Sequence, residues 1–255
     1  MKPDVVIVPC ADYAHETART ALEQALAPLG GLDWVNPGMK IAVKVNLVAS
    51  AKPEDAVTTH PGLLCALVEL LVERGADVVV GDSPGGLFNA ARVGKIYVAA
   101  GMKAVEQYGG RVNQNFEERE AKFPEGKVCR QFQYTAYLDE ADVMIDLCKL
   151  KTHGMMAMTC GAKNLFGTIP GTKKPEYHFR YLDPRDFARM IVDLNEYFKP
   201  RLTIVDAVDC MEGNGPTGGT PRHMGALLAG ESTHKVDLVC AGLIGLKREE
   251  VPTLE

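Results

Sequence analysis

Short runs of apolar, often β-branched residues recur along the chain and predict buried strands. The first is DVVIVP at 4–9. The second is MKIAVKVNLV at 39–48, whose alternation places Lys44 and Asn46 on one face, opposite its valines. Later runs with the same character predict three more strands, at 77–86, 143–151 and 202–213.

The segments between these runs have helical spacing and helix-end signals. The stretch from His15 to Pro28 is rich in alanine and leucine. The stretch from Thr59 to Gly75 has a candidate N-cap, a proline in the first turn and a closing glycine. A further helix is predicted over 184–198.

Continuous apolar strands separated by helices predict a mostly parallel sheet covered on both faces, an α/β fold of Rossmann-like type. We predict one domain over 1–255, with an irregular insertion or subdomain at about 91–138. The last residues, KREEVPTLE, resemble the start of another element, so a natural chain that continues past Glu255 fits the sequence.

Composition excludes several classes of protein. The formal charge of -5 gives no basic excess for a nucleic-acid partner. The N-terminus lacks the pattern of a signal segment, and no window reaches the roughly 18 apolar residues of a membrane span. These features predict a cytoplasmic protein with no membrane association.

Polar residues follow the predicted strands at the end where α/β sheets bind ligands. Lys44 and Asn46 lie near the end of the second strand, and Asp82 and Ser83 follow the third. The segment 149–153 follows the fourth strand, and 206–214 follows the fifth. We expect these strand ends to converge on one cleft.

The most informative segment runs from Lys149 to His178 and concentrates cations in an acidic protein. Its lysines are Lys149, Lys151, Lys163, Lys173 and Lys174. Such a local surplus predicts a site for an anion. We expect Lys163, Asn164 and the glycines of 161–171, Gly167 among them, to bind a phosphate or carboxylate. The alternative is a solvated loop with scattered lysines.

Other loops carry weaker signals. GDSPGG at 81–86 resembles a phosphate-binding turn, but it lacks the spacing of standard nucleotide loops and could be a tight turn capped by Asp82. The loop at 211–222 offers Glu212 and Asn214 to a substrate, or serves as a flexible lid. His60, just before a helix, could contact a ligand or fill the cap region.

The chain contains no recognisable serine, cysteine or aspartate nucleophile motif. Lys151 and His153 are two residues apart and point the same way if the strand persists to an exposed end. A lysine among other cations can have a lowered pKa and act as a base or form an imine. The candidates for catalysis are therefore Lys151, His153, His178 and Glu212.

The seven cysteines are scattered, with no C-x-x-C pair and no ferredoxin-type run. Cys148, His153 and Cys160 are close in sequence, but their spacing matches no standard zinc pattern. We expect reduced cysteines, no metal site, and no iron–sulfur cluster in residues 1–255.

Several motifs resemble domain-of-unknown-function family 362. They are KLKTH, T-x-G-A-K-N-L-F-G, I-P-G-x-x-K and DAVDCMEGNGPTGGTP, supported by the K-V-N and GDSPGG segments. The resemblance covers about residues 5–248. It implies a family often described as iron–sulfur because many members carry a C-terminal ferredoxin module. That module's cysteine runs are absent here, and the resemblance also implies a distant similarity in fold to lactate racemases.

Three functional hypotheses follow. The first is an enzyme whose cationic cleft binds a small anionic or phosphate-bearing ligand, with redox chemistry implied only by the resemblance. The second is a non-catalytic carrier domain that docks a ferredoxin-type partner. The third is a metal-binding protein that uses His153, His178 and cysteines. The sequence does not identify a cofactor.

Overall fold

The computed structural model describes residues 2–255. Its main sheet contains strands β1 (Val5–Pro9), β2 (Lys40–Val45), β3 (Asp77–Gly81), β4 (Arg111–Val112), β7 (Val143–His153), β8 (Ala157–Thr159), β9 (Leu202–Glu212) and β10 (Thr220–Gly230). Strands β5 (Glu118–Lys122) and β6 (Gln131–Thr135) form a separate hairpin. The helices are α1 (His15–Leu26), α2 (Pro61–Glu73), α3 (Ala90–Ala99), α4 (Gly161–Asn164), α5 (Lys174–Arg180), α6 (Pro184–Phe198) and α7 (Thr233–Leu243).

The sheet has the order β1-β10-β9-β7-β2-β3-β4, with β8 paired to β7. The strands from β9 to β4 in this order pair in parallel. The predicted α/β fold with a mostly parallel sheet is thus confirmed. Strands β1 and β10 form an antiparallel edge. The sequence analysis missed β10, because a glycine- and proline-rich loop leads directly into it.

Two sets of helices cover the sheet. Helices α1, α2 and α3 pack on one face against the odd-numbered apolar residues of β2, such as Val43. Helix α6 packs on the other face over Ala42 and Met144, and α7 packs farther along that face over Cys148 and Val205. Each buried aliphatic or aromatic side chain contributes roughly 1.5–3 kcal/mol relative to an exposed one.

The segment predicted as an insertion is built from several elements. It contains α3, a 3₁₀ turn over Met102–Tyr108, the edge strand β4 and the β5–β6 hairpin. Phe132 and Tyr134 of the hairpin belong to the same apolar cluster as the α6 side chains. Within residues 2–255, the helices are all too short or too polar to cross a lipid bilayer.

Candidate functional site

The carboxyl ends of β2, β3 and β7 meet at one cavity of about 460 Å³. They meet because β2 pairs in parallel with both neighbours, so that Lys44 lies beside Gly81 on one side and beside Asp146 on the other. Nine of the predicted site residues line the cavity: Asn46, Asp82, Ser83, Lys151, His153, Lys163, Asn164, Gly167 and His178. The fold thus brings residues from widely separated segments to one cavity.

Lys44 is fully buried beneath the cavity and makes three polar contacts there. Its Nζ lies 2.8 Å from Asp82 Oδ1 and donates to the Val45 carbonyl at 2.7 Å and to Asn164 Oδ1 at 3.1 Å. Asp82 also accepts hydrogen bonds from the amides of Leu47 and Ser83. An ammonium has three N–H donors, so Lys44 is saturated, and Asp82 has little capacity left for a ligand.

A chain of side-chain amides runs from Lys151 into the protein interior. Lys151 Nζ donates to Asn46 Oδ1 at 2.9 Å, and Asn46 Nδ2 donates to Asn164 Oδ1 at 2.9 Å. Asn164 Nδ2 then donates to Asp146 Oδ1 at 2.6 Å. Asp146 is fully buried, and burial raises its pKa to about 8. Each amide is thereby fixed in orientation by its neighbour in the chain.

Three lysines face the cavity with no acidic partner. In the described part of the chain, no carboxylate lies within ion-pair distance of Lys151, Lys163 or Lys174, whereas Lys44 and Lys149 each have one. Lys174 donates to the Phe166 carbonyl at 3.0 Å, and both Lys163 and Lys174 lie over the Phe166 ring, at 5.0 and 4.9 Å. A cation held over an aromatic face keeps part of its stabilisation without a counter-ion.

Burial and mutual repulsion lower the pKa of all three lysines. Burial lowers the pKa of Lys151 to about 7, with Lys163 and Lys149 adding to the effect. Burial also lowers the pKa of Lys163 to about 8 and that of Lys174 to about 7, and in both cases Lys44 adds to the effect. These groups therefore change protonation near neutral pH, and a bound anion would favour their charged form.

The two histidines of the cavity are neutral at physiological pH. His153 Nδ1 accepts hydrogen bonds from the amides of Met155 and Met156, both at 3.2 Å, which leaves the ring proton on Nε2. Burial, with the charges of Lys163 and Lys151, lowers the pKa of His153 to about 3. His178 is stacked on Phe187 with ring centroids 4.6 Å apart, and burial lowers its pKa as well.

Gly167 and Gly171 allow two loops to pack closely against each other. A Cβ on Gly167 would collide with Asp82 Oδ1 and lie 2.6 Å from Lys44 Nζ. Ser83 N donates to the Gly167 carbonyl, and Gly171 N donates to Ser83 Oγ. The predicted phosphate turn at 81–86 is thus joined to the 161–171 segment by its own hydrogen bonds.

The first amides of the 161–171 segment are also occupied. Gly161 N and Ala162 N donate to the carboxylate of Asp237 on α7, at 2.8 and 3.0 Å. An anion at those two amides would have to displace a buried carboxylate. Of the amides expected to receive the ligand, these two are therefore occupied, whereas the side chain of Lys163 faces the cavity.

Besides Lys44, which lies beneath the cavity, three predicted residues lie outside its lining. Glu212 is exposed at the end of β9 and pairs with Arg222 at 2.7 Å. Asn214 is exposed in the loop that follows, although Pro216 of the same loop lines the cavity. His60 caps α2 by accepting from Gly62 N and stacks on Tyr13 with ring centroids 3.5 Å apart. Burial lowers the pKa of His60 to about 4.

Lys151 is only 1% exposed, so the expectation that it lies at an exposed strand end is wrong. Strand β7 continues to His153, and β8 folds back to pair with its last residues, Lys151 to Thr159 among them. This added strand buries the end of β7. The backbone of Lys151 is covered, while its side chain still reaches the cavity.

Sequence reasoning missed Asp146 and Lys174 as parts of this site. Asp146 lies inside the apolar run of β7, where a carboxyl group is unusual enough to have been a signal. Lys174 was recognised as one of the cations of the segment but was not assigned to the site. It enters the cavity because α5 starts there, at the junction of two loops distant in sequence.

The cysteines form no metal site with the histidines. Cys148 and Cys160 lie with their sulfur atoms 3.9 Å apart, in the apolar cluster beneath α7. All seven thiols are free and buried. Among residues 2–255, no three His, Cys, Asp or Glu side chains are grouped so that they could hold a metal ion. The combination of His153, His178 and cysteines in the third hypothesis is therefore not assembled.

A family profile described as a domain of unknown function, DUF362, matches residues 41–242. The chain belongs to this family. The matched range includes the cavity lining and the amide chain beneath it. A thylakoid-associated protein from Synechocystis sp. is 31% identical over 263 residues, in an alignment that covers all of this chain and 78% of that relative.

Two solved structures share the fold of this DUF362 chain. The lactate racemase apoprotein of Thermoanaerobacterium thermosaccharolyticum superposes with a TM-score of 0.56 at 11% identity, over 92% of this chain and 56% of that protein. A Thermotoga maritima protein superposes with a TM-score of 0.53 at 12% identity, over 94% of this chain. The chain spans 61% of the Thermotoga protein. At these identities the similarity concerns the fold alone.

Proposed function

We propose that this protein is an enzyme whose cavity binds a small anionic substrate, a carboxylate or a phosphate ester. One observation carries the proposal. Lys151, Lys163 and Lys174 face a cavity of about 460 Å³ whose single acidic lining residue, Asp82, is already paired with Lys44. Lys151 is buried and Lys163 and Lys174 are half-buried, and cations in such surroundings are costly without a counter-ion. An anionic ligand would supply the missing charge.

The surroundings of the cavity suit acid–base chemistry as well as binding. Lys151 has a pKa near 7, where an amine exchanges protons readily at neutral pH. His153 presents a neutral ring with its proton on Nε2, and His178 lies on the same cavity. A purely electrostatic carrier site would not require these neutral donors and bases beside the lysines.

The second hypothesis is a carrier domain that docks a ferredoxin-type partner, and it does not require a ligand in the cavity. Such a domain would use its surface, and the cavity lysines would not need to bind a small molecule. Ligand affinity that depends on Lys163 and Lys174 therefore separates the two hypotheses.

Calorimetric titration with phosphate, sulfate, lactate and pyruvate tests the proposal. We expect at least one of these anions to bind to the wild type, and Lys163→Gln and Lys174→Gln to weaken its affinity by roughly tenfold each, as expected for a charged hydrogen bond of about 1.5–3 kcal/mol. Lys173→Gln is the matched control, because its side chain lies in a different surface cleft. Equal affinity of all three variants would refute the proposed site.

A further inference from the structure

We propose that Lys151 Nζ is a nucleophile that forms an imine with the carbonyl carbon of a small anionic carbonyl compound, such as a 2-oxo acid. This inference rests on the proposed anion site and names the reacting atom and the substrate class. Lys163 and Lys174 would hold the anionic group, while Lys151 attacks the carbonyl group next to it.

The hydrogen bonds of the buried lysines distinguish Lys151 from the others. Lys44 has three acceptors, one of them the carboxylate of Asp82, which together match the three N–H bonds of an ammonium. Lys151 has two acceptors, Asn46 Oδ1 at 2.9 Å and the Val57 carbonyl at 2.5 Å, and both are neutral. Two donated hydrogen bonds match the two N–H bonds of a neutral amine.

A neutral amine held in this way keeps its lone pair free for a ligand. Nitrogen has four tetrahedral positions, and the Cε bond and the two N–H bonds occupy three of them. Lys151 belongs to the lining of the cavity, and in the proposed complex the remaining position faces the ligand there. The lowered pKa of Lys151 agrees with this geometry, since at pH 7 its side chain is neutral in about half of the protein molecules.

The chain of amides acts as a positioning device for this nitrogen. Asp146 accepts from Asn164 Nδ2, which turns Asn164 Oδ1 towards Asn46 Nδ2. Asn46 must then present its oxygen, and not its NH₂ group, to Lys151. The buried Asp146 thereby determines that Lys151 meets an acceptor, so that its N–H bonds point into the protein.

The covalent step balances without an oxidant. The nitrogen lone pair forms a bond to the carbonyl carbon, and the π electrons of the carbonyl group move to its oxygen. That oxygen leaves as water with the two amine hydrogens, so that amine and carbonyl compound give imine and water. If the imine takes up a proton from solvent, it keeps one N–H bond that can still donate to Asn46 Oδ1.

Reductive trapping tests the proposal. The full chain is incubated with pyruvate or glyoxylate and sodium cyanoborohydride at pH 7, which reduces an imine to a stable secondary amine, and the adduct is located by peptide mass spectrometry. An ordinary lysine is neutral in roughly one molecule in two thousand at this pH, against roughly one in two for Lys151, so we expect labelling of Lys151 to exceed that of surface lysines by on the order of a thousandfold.

Matched variants and a parallel titration make each outcome decisive. Lys151→Arg should abolish the adduct, and Lys173→Arg, whose side chain lies in a different surface cleft, should retain it. If Lys151→Arg fails to fold, the peptide map of the wild type alone decides. An adduct on Lys163 or Lys174, or labelling spread over surface lysines, overturns the inference. No adduct in a protein that still binds phosphate overturns the imine and leaves the anion site standing, whereas absence of both overturns both proposals.

Discussion

Two lysines of β7, only two residues apart, are buried to the same extent but differ in their partners. Lys149 is fully buried, and its Nζ lies 2.9 Å from both Asp206 Oδ2 and Tyr13 Oη. Lys151 is 1% exposed, and its partners are an amide oxygen and a backbone carbonyl. Burial alone therefore does not determine the state of a lysine: Lys149 is held in an ion pair with a carboxylate, whereas Lys151 has only neutral partners, which the proposed role as a nucleophile requires.

The largest expected effect is the loss of stability when the ion pair between Lys149 and Asp206 is removed. Lys149→Met would leave the carboxylate of Asp206 buried and unpaired, which costs about 3–5 kcal/mol of unfolding free energy. Lys151→Met would leave only neutral oxygens unsatisfied, at a cost of about 1–3 kcal/mol. Urea unfolding of both variants measures the difference. If Lys151→Met is the more destabilised, the assignment of the two roles is reversed.

The next effect concerns the contact between the two loops that form the cavity wall. Gly167→Ala would place a methyl group against Asp82 Oδ1 and 2.6 Å from Lys44 Nζ, and overpacking of this kind costs about 1–3 kcal/mol. Gly154→Ala is the control, because a methyl group there meets open space. Thermal unfolding should distinguish the two variants, and equal melting temperatures would mean that the loops separate at little cost.

A smaller effect is expected in the pH dependence of ligand binding. The pKa values are about 7 for Lys151, 8 for Lys163 and 7 for Lys174, and burial is the main cause of the lowering. These lysines are charged below these values and lose their charge as the pH rises through them. Sulfate or carboxylate affinity should therefore fall between pH 6 and pH 9, by roughly tenfold for each charge lost, or about 1.4 kcal/mol.

Calorimetric titrations at fixed ionic strength check this trend, because added salt alone would weaken the binding of anions. The titrating ligand should carry a constant charge over the range, which sulfate does and phosphate does not. Sulfate affinity that stays constant from pH 6 to pH 9 would contradict lowered lysine pKa values in the cavity.

The sequence placed several polar residues near the ends of predicted strands. Lys44, Asn46, Asp82 and Lys151 are among them, and parallel pairing brings such positions together in any sheet of this type. The fold class followed from the same runs. What these patterns do not contain is the direction of hydrogen bonds, so the amide chain to Asp146 and the two neutral acceptors of Lys151 required the structure.

Contacts made by an element that the sequence did not reveal, or by a residue far along the chain, could not be predicted from the sequence. The burial of Lys151 arises from β8, a strand of three residues that no periodicity would reveal. The occupation of the Gly161 and Ala162 amides arises from Asp237, 76 and 75 residues away along the chain. The Asp237 contact joins segments far apart in sequence, and the packing of α7 against α4, β9 and β10 sets their relative position.

The smallest expected effect is that of replacing Glu212, which lies outside the proposed site. Its carboxylate pairs with Arg222 at the surface, with exposures of 50% and 65%, and exposed pairs of this kind contribute about 0–1 kcal/mol. We expect Glu212→Gln to change both stability and anion affinity by less than about 1 kcal/mol. The test is informative because Pro216, in the loop that Glu212 begins, does line the cavity. A loss of affinity beyond about tenfold in this variant, measured by calorimetry beside Lys173→Gln, would show that the loop brings Glu212 to the ligand and that the site extends past the three lysines.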